Sequence, residues 1–502
     1  MNKKVLLVTN DVPLMREVGA ALQAQNDISI LAKDGERGLD LLTELHPDFI
    51  VVSLALAPDA SKPTDDDGGL SFCAAAAAVA TTPIALITPS PVPDAVISRL
   101  GSLGPNVYCN AMKEGYLARV MEQIRTAKPP PKRLDIVIGA DAGNRWTYTL
   151  HGDNFAHPFD RRGTLSFDPG AQDLCKTLAG IVGKGLPDWE DTFTQLGKGI
   201  VRSLFGVDST FEAEIKQGVE EAGGLQNTRV IFSVGKEQYE VALEAVFPPV
   251  QTARHPWMIH APVVRNVREQ TAANTPLFDG TPRPKRCLVV GANTSGYCDD
   301  IVVGGSALKL GELSHVKSEC EAVQAIFKDA RQTVGFRELK VVGIDPDKPL
   351  SRDDFLELLT EPWDVIHFAG HAYHSESASN GGPATTEHAC LFVGEPGHPQ
   401  AVEMNTIAPS LRETTSLLYL SGCGTANADF AVAAAQYGVP AVLGFRWKVL
   451  DKPAEQHARL FYHQLFKEKA IDRAFRNTRR GMRLLARKDN AWASGMLVMA
   501  RG

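Results

Sequence analysis

The chain has 502 residues, a formal net charge of −7 and 44% hydrophobic residues, enough for two to four domains with ample core. No apolar run reaches the roughly 18 residues needed to cross a bilayer, and no long basic run marks nucleic acid as the main partner. Met1-Asn2-Lys3-Lys4 leads into the strand-like Val5-Leu6-Leu7-Val8 and not into a signal peptide, so we expect a soluble cytoplasmic protein. The eight cysteines are scattered with no Cys-x-x-Cys pair, which reads as free thiols, mostly core, with room for one reactive one.

Residues 1–127 alternate strands and helices. Val5-Leu6-Leu7-Val8-Thr9 and Phe49-Ile50-Val51-Val52 are buried strands, 13–25 repeats its apolar residues near period 3.6, and Pro83-Ile84-Ala85-Leu86-Ile87-Thr88 precedes a closing helix at 115–125. This series resembles the receiver domain of bacterial response regulators. Receivers carry an acidic pair after the first strand, an acceptor aspartate after the third, a Ser/Thr after the fourth and a lysine after the fifth. Here the pair is reduced to Asn10-Asp11, Ser53 holds the acceptor position, Thr88 fits, and Val107-Tyr108-Cys109-Asn110 offers no lysine. A hydroxyl is not ionised at neutral pH and gives Mg²⁺ less ligand charge, so acyl-phosphate chemistry is lost. The expectation is a pseudo-receiver that binds an activating partner or a second copy of the chain. Asp65-Asp66-Asp67-Gly68-Gly69 reads as a solvated turn, not a metal loop.

Lys128-Pro129-Pro130-Pro131-Lys132 cannot continue a helix and marks a stiff linker over 128–133. A middle region, 134–272, has strand-like runs at 134–138, 146–150 and 229–234, helices expected at 172–184 and 190–205, and the run His255-Pro256-Trp257-Met258. Pro276, Gly280, Pro282 and Pro284 set a second linker at 273–286. The last domain, 287–502, opens with the strand Cys287-Leu288-Val289-Val290, followed by a helix at 313–330 with Val316, Cys320, Val323 and Phe327 on one face. A strand at 339–342, a helix over 355–359 capped from Ser351, a strand at 390–393, a helix at 430–437, a buried strand at 441–447 and an amphipathic helix at 452–469 complete it.

Two stretches organise this domain. Trp363-Asp364-Val365-Ile366-His367-Phe368-Ala369-Gly370-His371-Ala372 and Ser416-Leu417-Leu418-Tyr419-Leu420-Ser421-Gly422-Cys423-Gly424-Thr425 are apolar runs ending in small-residue turns, the pattern of buried parallel strands that each deliver one polar side chain. Open α/β sheets work at the carboxyl ends of their strands, so His371 and Cys423 can converge although 52 positions separate them. Cysteine is commonly core, and the presence of His371 is what favours catalysis here. The His367/His371 spacing suits zinc only on a helix, whereas Val365-Ile366 and Gly370 make a strand and turn, so no metal and no cofactor is expected.

These motifs, together with Gly438-Val439-Pro440-Ala441-Val442, Phe445-Arg446-Trp447-Lys448-Val449-Leu450-Asp451 and Leu460-Phe461-Tyr462-His463-Gln464-Leu465, stand in the order and spacing of the CHAT domain. The chain thus resembles the caspase-like cysteine peptidases related to separase, caspases and gingipains, over about residue 134 to the end. The resemblance implies an α/β fold: a receiver-like βα domain, then a CHAT caspase-like α/β sandwich with a middle β/α subdomain. It implies Cys423 as nucleophile, His371 as acid/base, and the N–H groups of Cys423 and Ala372 as oxyanion donors. No third catalytic residue is evident. Clan relatives selective for basic residues often carry an acid two positions before the nucleophile. Ser421 stands there, Asp429 and Asp451 are pocket candidates in its place, and Asp451 also suits a helix cap. Two functions follow: an endopeptidase cutting a dedicated protein substrate in bacterial defence or cell death, or an idle scaffold assembling partners through both domains. The polar stretch 373–388 after His371 has few apolar residues and is expected to be mobile until an activator orders it.

Overall fold

The structure is a computed structural model. It describes residues 3–45, 47–59, 61, 63–65, 67–79, 82–93, 96, 107–126, 133–140, 146–153, 160–165, 182, 189–205, 209–234, 242–248, 255–267, 286–303, 306–334, 337–345, 347–374, 389–411, 415–426, 430–431, 433–437, 439–468, 470–485 and 489–499. The chain divides into two compact units, Met1–Arg133 with Asp153–Pro158, and Leu134–Gly152 with Phe159–Gly502. Apart from Arg133 and Arg286, the expected linkers lie outside the described residues, as does the expected helix at 172–184 apart from Val182.

The first unit is a five-stranded parallel sheet with helices between its strands: β1 (Lys4–Val8), α1 (Val12–Ala24), β2 (Ile28–Ala32), α2 (Gly35–Leu45), β3 (Phe49–Ser53), α3 (Gly68–Val79), β4 (Ile84–Thr88), β5 (Val107–Ala111) and α4 (Tyr116–Thr126). The strand order is β2-β1-β3-β4-β5, the doubly wound order of receiver-type folds. β1, β3 and β4 are buried almost throughout, which accounts for their unbroken apolar runs. At their carboxyl ends the polar residues are engaged with one another and with the backbone. Asp11 caps α1 by accepting from Leu14 N at 3.0 Å, Asn10 Nδ2 donates to Thr64 Oγ1 at 2.6 Å, and Ser53 Oγ donates to the Ala55 carbonyl at 2.9 Å.

The second unit is built on an eleven-stranded sheet. Its first part supplies β6 (Arg133–Ala140), β7 (Trp146–Asp153), β8 (Asp160–Leu165), α5 (Trp189–Phe205), α6 (Ser209–Glu221), β9 (Thr228–Val234) and β10 (Val263–Val267). Its second part supplies β11 (Arg286–Ala292), the hairpin β12 (Gly296–Val303) and β13 (Ser306–Leu310), α7 (Val316–Val334), β14 (Glu338–Val342), α8 (Arg352–Leu359) and β15 (Val365–Gly370). Then come β16 (Ala372–His374), β17 (Ala389–Glu395), β18 (His398–Glu403), β19 (Leu417–Ser421), β20 (Ala441–Phe445), α9 (Asp451–Glu468), α10 (Ile471–Leu485) and β21 (Gly495–Met499).

The sheet order is β14-β11-β15-β19-β20-β21-β10-β9-β6-β7-β8. The stretch 134–272 and the stretch 287–502 therefore share one sheet, joined through the pairing of Arg265 with Val498. One core spans both, with Ile231 and Val264 packed in the same cluster as Val289, Val365, Tyr419, Phe461 and Leu497. The face of α7 expected from its spacing is the buried one: Val316, Cys320, Val323 and Phe327 all lie in that core. Burying each such side chain is worth roughly 1.5–3 kcal/mol.

Sequence and structure differ at several elements. Among the described residues of 430–437, Phe430 and Ala431 are π-helical and Ala433–Gln436 is α-helical, and His255-Pro256 introduces the single turn Trp257–His260. The hairpin β12–β13, α10 and β21 are further elements beyond those expected from the sequence pattern. The hairpin is too irregular to alternate cleanly, with a register shift between Cys298 and Val302.

The first unit's geometry makes a chemical prediction. With the Ser53 hydroxyl donating to its own loop and Asp11 spent on a helix cap, acetyl phosphate and Mg²⁺ leave the mass of the first unit unchanged, as intact-protein mass spectrometry will show.

Candidate active site

Strand pairing sets the site. β15 and β19 are parallel neighbours in the register Val365↔Leu417, His367↔Tyr419 and Ala369↔Ser421. His371 and Cys423 each lie two residues beyond the last pair, in the turns that follow these two neighbouring strands at the carboxyl edge. The two turns are pressed together: a Cβ on Gly422 would lie 2.8 Å from the Gly370 carbonyl and 3.3 Å from Ala372 Cβ, so only glycine allows the approach. Gly424, directly after the thiol, has φ +71°, which suits the sharp turn there.

His371 is half-buried, and its main-chain carbonyl accepts from Phe392 N at 3.1 Å. Its Nε2 lies 2.6 Å from the Gly311 carbonyl, just after β13. A carbonyl can only accept, so Nε2 carries the proton and Nδ1 keeps the free lone pair of a base. Asn293, at the end of β11, steadies this stretch by accepting from Leu313 N at 3.1 Å. The residue that orients His371 is thus a main-chain carbonyl, to which no side-chain pattern in the sequence could point.

Cys423 is half-buried, and its sulfur faces the segment that follows β20. Val449 N–H donates to Sγ at 3.4 Å, and Sγ lies 3.5 Å from the Val449 carbonyl. These are the thiol's hydrogen bonds among the described residues, and none joins it to His371. Burial pushes the Cys423 thiol above its ordinary value and Asp451 adds to this, against the pull of the Val449 N–H and Lys448. Burial likewise lowers His371, against the Gly311 carbonyl and Asp451. Both groups rest neutral, so the pair is assembled as thiol and imidazole rather than as an ion pair.

The pocket candidates separate. Ser421 is buried at the end of β19, and its hydroxyl has no hydrogen-bond partner among the described residues. Asp451 opens α9, but its carboxylate accepts from His315 N at 2.6 Å, immediately before the neighbouring α7, instead of closing its own helix. Its charge reaches both His371 and Cys423. Asp429 lies outside the described residues, and so does most of the polar stretch, 375–388. Ala372 opens β16, paired with Leu391. His367, the other member of the spacing weighed for zinc, is fully buried 3.2 Å from Glu319.

Residues 245–500 match the CHAT domain family. No curated protein matches the chain. Among solved structures, the Vibrio cholerae chemotaxis response regulator CheY4 is 16% identical with a TM-score of 0.21, over 25% of this chain and 99% of its own. A CheY-like response regulator receiver domain protein from Methanospirillum hungatei is 14% identical, also at 0.21, over 25% of this chain and 95% of its own. Saccharomyces cerevisiae separase, in its complex with securin, is 11% identical with a TM-score of 0.38, over 73% of this chain and 30% of its own. The family match covers just over half of the 502 residues and takes in the His371 and Cys423 strands, and the chain belongs to the CHAT domain family.

Proposed function

We propose that this protein is a cysteine endopeptidase, idle at rest and switched on by a partner, that cuts a dedicated protein substrate in bacterial defence or cell death. One observation carries the reading: an imidazole with Nε2 tied to the Gly311 carbonyl follows β15 and a thiol follows the paired β19, in turns so close that Gly422 meets Gly370 and Ala372. In the reaction, His371 Nδ1 takes the thiol proton as Sγ attacks the scissile carbonyl carbon. The carbonyl π pair moves to oxygen, where the N–H groups of Cys423 and Ala372 stabilise it, each worth on the order of 3 kcal/mol. Collapse breaks the C–N bond, and His371 returns its proton to the leaving amine. Water, deprotonated by His371, then hydrolyses the thioester, releasing the new carboxyl terminus and restoring the thiol.

The resting geometry supports the idle state. The sulfur makes no hydrogen bond to His371 in this arrangement, so an activator must bring the imidazole and the Val449-held sulfur into contact, with an effect bounded by its differential affinity for the two states. The receiver-like unit, whose acceptor position is a serine, is the proposed docking place for that activator.

Cys423→Ala and His371→Ala each abolish cleavage of a substrate identified from a peptide library by mass spectrometry, and the double variant is no worse, because nucleophile and base act as a unit. A few per cent of residual activity in either folded variant sinks the assignment. Alkylation of Cys423 by iodoacetamide in the isolated protein rises with pH through a midpoint above the ordinary thiol value. A preformed thiolate–imidazolium pair, whose thiol titrates at about 3.5–7.5, would instead already be at its plateau by neutral pH. Deleting residues 1–127 leaves this alkylation profile in place and changes the response to the activating partner; identical responses of both forms give the first unit another role.

A further inference from the structure

The peptide that touches the nucleophile is itself held by a short, buried piece of chain that no catalytic motif covers. Ser494 and Asn490 flank the turn Ala491–Ser494 just before β21, and both are buried. Ser494 makes three contacts with the strand end that runs toward the thiol. Its carbonyl accepts from Arg446 N at 2.8 Å, its Oγ accepts from Trp447 N at 3.0 Å, and the same Oγ lies 3.2 Å from the Trp447 carbonyl. Asn490 Nδ2 donates to the Lys448 carbonyl at 2.8 Å and to the Val182 carbonyl at 2.7 Å. Residues 446, 447 and 448 are thus fixed one after another, and the next amide, Val449 N–H, points at Cys423 Sγ.

We infer that Ser494 and Asn490 are positioning residues for Cys423: through the backbone of 446–448 they hold the Val449 amide against the sulfur, where it stabilises the thiolate as it forms. An N–H donated to a developing anion is a charge-assisted bond and depends steeply on distance and angle. Among the described residues, the charged groups acting on the thiol are Lys448 from the same segment and Asp451 from the start of α9, and His371 follows the neighbouring β15. None of these is bonded to Ser494 or Asn490 through its side chain, so changing the two positions leaves those charges in place. This inference rests on Cys423 being the nucleophile.

The test measures iodoacetamide alkylation of Cys423 against pH by peptide mass spectrometry in the full-length protein. Ser494→Ala and Asn490→Ala move the midpoint upward, with about a tenfold loss of rate below the midpoint for each unit moved. Ser494→Thr, which keeps the oxygen, holds the wild-type midpoint, and labelling of Cys109 is unaffected throughout. Ser494→Ala leaves the buried Trp447 N–H unpaired and is the more disruptive change; Asn490→Ala gives the answer if that variant does not fold. A wild-type midpoint in either folded alanine variant overturns the inference, as does an equal shift in Ser494→Thr. If the variants shift as described but the wild-type protein cuts no peptide, the positioning stands and the peptidase reading falls.

Discussion

Everything in the candidate site depends on the register between β15 and β19. In a sheet, a slip of one residue turns every side chain to the opposite face, so a single step would point either His371 or Cys423 away from the other. What pins the register is polar and lies in the core, four residues below the pair. His367 and Tyr419 are directly opposite, with rings 4.9 Å apart. His367 reaches Glu319 of α7 at 3.2 Å and the Tyr462 hydroxyl of α9 at 3.3 Å, while the Tyr419 hydroxyl meets His457 Nδ1 at 2.7 Å. An apolar core would fill this space as well, but the hydrogen bonds from α9 to His367 and Tyr419 add a directional constraint on both strands, while Glu319 of α7 approaches His367 without one. Burial, with Arg479 adding to it, brings His457 down to about 3, so it stays neutral and adds no charge there.

The same two helices carry the electrostatics of the edge. The start of α9 places Asp451 where its carboxylate binds His315 N ahead of α7 and acts on both His371 and Cys423. The core that fixes the strands thus also fixes the local charge. Both site groups nevertheless rest neutral, because burial outweighs the stabilising contacts each receives. In the proposed mechanism, proton transfer is left to the moment of reaction.

The two units show how one topology can keep or lose chemistry. Both contain the 2-1-3-4-5 parallel order, as β2-β1-β3-β4-β5 in the first and β14-β11-β15-β19-β20 in the second. In both, the strands end in polar residues at the carboxyl edge. In the first unit those residues cap a helix and close loops; in the second the turns after β15 and β19 carry an imidazole and a thiol.

The sequence by itself determined the buried parallel strands at the sheet centres, the two motifs and the family, since such strands must be written as unbroken apolar runs, and the runs before His371 and Cys423 end in turns that only small residues allow. The helix 316–334 was legible from its buried face, and Ser351 from its cap, which accepts from Asp354 N at 3.1 Å. Tertiary structure alone decided the rest. The Gly311 carbonyl orients His371 and the Val449 peptide holds Cys423, and backbone groups are the same at every position, so no residue type marks them. That the stretch 134–272 extends the sheet of the stretch 287–502 was equally hidden, because the pairing of β10 with β21 joins segments more than 200 residues apart. Asp451 looked like a cap for its own helix, and it binds the neighbour's first residues because that helix is what the fold brings within reach.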